Sequence, residues 1–210
     1  MRTVSITKSL VAAVTNGIAQ SQSLASAGTL TLNGTLVTAG VANLGSQRRV
    51  VITSAGNDSA RKATVVGTAD SGARSEIITL GSAAAVVSVN DFLTVGTVSI
   101  DGTIASTVTV GTNGTGSTDW IMPNFHLTPF DVTINTELSG AATYNVETTQ
   151  DNYFDARPTV TTVNVYQVLQ GNTASTEAVL NTAVRGYRYT ITAGTGTLTA
   201  QSTQSGIVNY

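Results

Sequence analysis

Apolar residues alternate with small hydroxylated ones along this chain, and turn residues break the pattern at roughly 8–12-residue intervals. That feature most restricts what the chain can fold into, because period two is the period of a half-buried strand. Leu30 and Leu32 alternate with threonines ahead of Asn33-Gly34, a strong hairpin signal. Val50 and Ile52 run into Ser54-Ala55-Gly56-Asn57-Asp58, and Ala63–Val66 and Glu76–Leu80 flank Asp70-Ser71-Gly72 as a second hairpin. Val87 and Val89, then Val98 and Ile100, then Ile104, Val108 and Val110 continue the pattern. Further on it returns in Phe130, Val132 and Ile134, in Tyr144 and Val146, in Val163, Val165 and Val168, in Tyr187, Tyr189 and Ile191, and in Thr197–Ala200. Ala174–Ala183 alone suits a short helix, but it lacks a capping box and reads equally as a loop. Short strands at such spacing predict an all-β chain of sandwich-like domains, immunoglobulin-like or jelly-roll-like.

Composition supports many tight turns and an unusual surface. Glycines number 20 and prolines three, and charged residues make up 10%, against about 25% in an ordinary soluble domain. Hydroxyls and small side chains must therefore cover most of the exterior. Such a surface costs little to desolvate, which suits packing against other subunits. Gly111–Thr118 holds no side chain able to anchor a core, and the lone Trp120 with Pro123, Phe125, Pro129 and Phe130 follows at once. This predicts a linker at 111–118 dividing two domains, 1–115 and 116–210, with Trp120, Phe125 and Phe130 as an apolar hinge. Basic residues exceed acidic ones by two in 1–115, and acidic exceed basic by four in 116–210, an asymmetry able to orient neighbours head to tail. The first strand, Thr3–Thr7, is a candidate to complete a sheet edge beyond its own domain.

Several function classes lack the residues they need. The net charge of −2 disfavours nucleic acid as a partner, since phosphate binding requires concentrated Lys and Arg. No run approaches the roughly 20 apolar residues of a membrane-spanning helix, and Thr15-Asn16-Gly17 interrupts Leu10–Val14 too early for a good signal-peptide core. Cysteine is absent, which removes disulfides and thiolate metal sites. The single histidine, His126, stands between Phe125 and Leu127 without a nucleophile motif. Glu147, Asp151 and Asp155 are spaced by four and offer hard-cation ligands, but without a calcium-loop pattern they read as a solvated loop. Gly194-Thr195-Gly196 lacks the lysine of a phosphate loop and reads as a turn. Arg48-Arg49 and Arg61-Lys62 read as solvated strand edges. Asn33, Asn57 and Asn113 head sequons that a threonine-rich chain produces by chance. We therefore expect no enzyme, with no catalytic, cofactor-binding or metal-binding residue.

Two segments carry a resemblance. Val51–Ala60, followed by Val65–Gly72 and Ser75-Glu76-Ile77-Ile78, resembles a turn-and-strand module of tailed-bacteriophage structural proteins. Phe130-Asp131-Val132, Gly140–Glu147, Gln150-Asp151, Ala183–Arg188 and Thr192–Thr199 are similar to a second module of phage proteins, departing from it at Ala183 and Gly186. The two matches span about two-thirds of the chain, and they are strand and turn grammar. The resemblance implies a virion component, assembled in the host bacterial cytoplasm. It implies a capsid decoration protein on the major capsid protein first, and a neck or tail-attached protein second. Its expected partners are other virion proteins and further copies of itself. The rivals are a carbohydrate-binding attachment module, which requires tyrosines gathered in an open groove, and a glycan hydrolase.

Overall fold

A computed structural model describes residues 2–10, 12–124, 126–151 and 164–208. The chain is all-β. Its strands are β1 (Arg2–Ser9), β2 (Ala19–Gln22), β3 (Gly28–Thr29), β4 (Val37–Thr38) and β5 (Val41–Ser54). Next come β6 (Lys62–Ala69), β7 (Gly72–Thr79), β8 (Ala85–Ile100), β9 (Val108–Ser117) and β10 (Leu127–Ser139). The remainder are β11 (Ala142–Thr149), β12 (Tyr166–Asn172), β13 (Thr176–Leu180), β14 (Gly186–Gly194) and β15 (Thr197–Val208).

The chain divides into an inserted unit, Ala12–Gly116, and a split unit made of Met1–Val11 with Ser117–Tyr210. Residues 1–11 therefore leave the expected 1–115 domain, because β1 pairs along its whole length with β15, from Arg2 opposite Gln204 to Ser9 opposite Thr197. The expected charge asymmetry goes with them: the inserted unit holds five basic and five acidic residues, the split unit five and seven.

The inserted unit is built on five strands in the order β9-β5-β8-β6-β7, with β2, β3 and β4 as short additions on β9, β8 and β5. Alternation sends Val50, Ile52, Val65, Val98, Val108 and Val110 into one core. Ile18, Leu24, Leu30, Leu32 and Leu36, from the segment before β5, pack onto the same core. The expected linker at 111–118 is instead mostly strand β9. Thr112 continues the inward alternation and is fully buried, and its side chain accepts a bond from Val14 N–H at 3.1 Å. Gly111 is needed because a Cβ there would lie 2.0 Å from the Val14 carbonyl oxygen.

Arg48 also departs from expectation, being 0% exposed on β5. Its guanidinium donates to the carbonyls of Ala12 at 3.3 Å and Asn113 at 2.6 Å, tying together the places where the chain enters and leaves this unit. Its Nε has no hydrogen-bond partner, and burial pulls its pKa below the ordinary arginine value.

The split unit is a sandwich. A four-stranded antiparallel sheet, β1-β15-β10-β13, faces the antiparallel strands β12-β11-β14. Val132, Ile134, Leu180, Leu198 and Ala200 from the first meet Tyr144, Val146, Tyr187, Tyr189 and Ile191 from the second in a single core. The stretch Ala174–Ala183, open between helix and loop from sequence, contains β13, paired to β10 from Val132 opposite Leu180 to Thr136 opposite Thr176.

Two tyrosine hydroxyls inside this sandwich are matched, at Tyr144 and Tyr187, whereas that of Tyr189 has no hydrogen-bond partner among the described residues. The Tyr144 hydroxyl donates to the Ala174 carbonyl at 2.8 Å, accepts from Asn172 at 2.8 Å and lies 2.7 Å from Thr136 Oγ1. The Tyr187 hydroxyl lies 2.6 Å from Ser202 Oγ. A Tyr144→Phe chain should lose about 2 kcal/mol in urea denaturation, because buried partners are left unpaired while the ring stays.

Candidate assembly surfaces

Chemistry-bearing side chains are dispersed and engaged locally. His126 is exposed, and its backbone N–H donates to Asn124. Glu147 and Asp151 do not converge: Asp151 accepts from the Asn164 backbone at 2.6 Å, whereas Glu147 lies on the face of β11 turned away from the core. Asp155 and Tyr153 lie outside the described residues. Among the described residues no group of three or more His, Cys, Asp or Glu is placed to hold a metal ion. Other carboxylates cap backbone: Glu76 accepts from the N–H groups of Val89 and Asn90, and Asp58 from that of Ala105. Gly194-Thr195-Gly196 forms the β14–β15 turn.

A buried polar row runs across β14, β11 and β12. Glu147, 6% exposed, accepts from Arg188 Nε at 2.7 Å, from Thr190 at 3.1 Å and from Gln167 at 3.2 Å. Burial pushes its carboxyl upward, but the Arg188 charge and the three hydrogen bonds outweigh this and hold it below the usual carboxylate range. The Arg188 guanidinium also lies 4.6 Å from the centroid of the Trp120 ring. Of the expected hinge residues, Trp120 thus engages β14, Phe130 packs on the split unit's core, and Phe125 lies outside the described residues. Sequence reasoning missed the Trp120–Arg188–Glu147 row, whose members lie far apart in the chain.

The outward face of the four-stranded sheet is a polar array. Ser9, Thr197 and Ser139 form one row, and Thr7, Thr199 and Glu137 the next. Ser5, Gln201, Asn135 and Glu177 follow, then Thr3, Thr203, Thr133 and Val179. Thirteen of these fourteen side chains are polar, and hydroxyls touch directly at Ser9–Thr197, 2.8 Å. In the inserted unit, the face of β6-β7-β8 turned from the core carries Thr64, Thr68, Ser75, Thr79, Thr94 and Thr97 around two apolar residues, Val66 and Ile77, the latter 66% exposed.

Among the described residues, two edges of the sandwich have no further strand beside them, next to an apolar groove. Strands β12 and β13 are the outer members of their sheets, and between them lies a shallow groove of about 340 Å³. Thr148, Tyr166, Val168, Val179, Leu180 and Val184 are among its lining residues, with Tyr166 61% and Val179 52% exposed. At the opposite side of the four-stranded sheet, β1 is the outer strand. Of the tyrosines a sugar platform would need, Tyr144, Tyr187 and Tyr189 are buried. No helix among the described residues is long and apolar enough to cross a membrane. No protein-family model matches the chain, and no curated protein matches it.

Proposed function

We propose that this chain is a structural subunit of a tailed-phage particle, a decoration protein bound to the major capsid protein, working by assembly and without a catalytic step. The observation that carries the proposal is the hydroxyl and amide array on the four-stranded sheet, a face whose groups can exchange water for hydrogen bonds to a neighbour. The exposed Val66–Ile77 patch adds a second contact of the same kind. The burial of three tyrosines in the sandwich core supports a scaffold over a sugar-binding platform. A neck or tail-attached subunit uses the same surfaces and differs in copy number. Quantitative mass spectrometry of intact particles separates these outcomes. The decoration role predicts a copy number in simple proportion to the major capsid protein. A few copies per particle points to the neck or tail, and absence from the particle overturns the proposal.

A further inference from the structure

The two outer strands of the four-stranded sheet match each other in direction and in hydrogen-bonding phase. Successive strands of β1-β15-β10-β13 alternate in direction, so the first and last run oppositely. A second copy placed beside the sheet in the same orientation therefore meets β13 with an antiparallel β1.

The phase also fits. Leu10 N–H bonds Gly196 O, so the even-numbered residues of β1 bond toward β15. The backbone groups of Thr3, Ser5, Thr7 and Ser9 consequently point to the open edge. Carried across the registers of β15 and β10, that alternation turns the even-numbered residues of β10 and their partners Thr176, Ala178 and Leu180 toward each other, which leaves the backbone groups of Glu177 and Val179 facing the other open edge. These same residues lie on the polar outer face at both edges. Bonded pairs Thr7–Glu177 and Ser5–Val179 between copies would thus keep every side chain on its proper face.

The inner face agrees as well. In that register Ile6 stands opposite Ala178 and Val4 opposite Leu180, which brings two half-buried apolar side chains to the rim of the groove lined by Leu180 and Val184.

We infer that copies of this chain add head to tail, β13 of one to β1 of the next, into one continuous antiparallel sheet. The inference deepens the assembly role proposed above by naming the partner and the edges.

Two proline variants test it, each removing an open-edge N–H without breaking a bond to the neighbouring strand: Val179→Pro on β13 and Ser5→Pro on β1. Circular dichroism and the urea midpoint check that both remain folded. Light scattering and sedimentation of the parent chain should show a mass that grows with concentration. Each variant alone should associate at least about tenfold more weakly, a change of roughly 1.4 kcal/mol. Mixed in equal amounts, they should form a dimer that grows no further, since each supplies the edge the other lacks. A parent chain that stays monomeric or stops at a dimer overturns the inference, as does growth untouched by Val179→Pro. Loss of association by Ser5→Pro alone would mark β1–β1 pairing and overturn it too. Should either variant fail to fold, Val179→Lys, with a charge on that same open edge, carries the test. Particles that retain a non-associating chain would overturn the continuous sheet and leave the virion role standing.

Discussion

Replacing Glu147 with alanine should lower the unfolding free energy by about 3 kcal/mol, the low end of the range for breaking a buried ion pair because Arg188 keeps a little exposure. The loss arises less from the missing attraction than from what remains: a guanidinium held under Trp120 with no carboxylate, and Thr190 and Gln167 without their acceptor. Urea denaturation followed by fluorescence measures it, and Trp120, the only tryptophan, sits at the altered group. The pH dependence has a definite sign. Because the folded carboxyl titrates below its unfolded value of about 4.3, its contribution is complete above that value and disappears as pH falls through the lowered one. Parent and Glu147→Gln stabilities should therefore lie apart at neutral pH and converge in acid. A constant difference across that range would remove Glu147 from the account.

Gly194→Val should be comparably damaging, at about 4 kcal/mol, for a backbone reason. Gly194 has φ +86°, where a β-branched residue is strained, and a Cβ would sit 2.1 Å from the Ala141 carbonyl oxygen. That oxygen is held in place by the Thr195 N–H at 3.1 Å, so no side-chain rotation relieves the clash. Gly40 provides the comparison: its φ is +79° but nothing lies within 4 Å of the added carbon, so Gly40→Ala should cost only about 1 kcal/mol. Equal losses at the two sites in urea denaturation would show that the close approach to Ala141 does not matter.

The strands were legible wherever apolar residues alternate, as at Val108 and Val110, because period two leaves a mark within a few residues. β9 was lost beyond Val110, since Gly111–Thr118 offers no apolar anchor. Thr112 kept the inward phase, but a buried threonine looks like any other threonine. Arg48 gave no sign of burial, because its partners are the carbonyls of Ala12 and Asn113, and every residue has a carbonyl. Glu147, Asp151 and Asp155 looked like a cluster by spacing alone. Strand geometry turns Glu147 away from the core on β11 and leaves Asp151 past its end. The partner of β1 lies nearly the whole chain away, beyond the reach of any local pattern. The same distance hid the polar rows that form the candidate surface, although the abundance of hydroxylated residues announced their chemistry.

Because β1 and β15 are antiparallel neighbours, Arg2 and Gln204 lie side by side. A mechanical load drawing those two points apart acts across the ladder and opens it one pair after another, like a zipper pulled from its end. Until the last of those pairs parts, residues 12–116 are bypassed by the tension, so the inserted unit rides unloaded while its host sheet bears the strain.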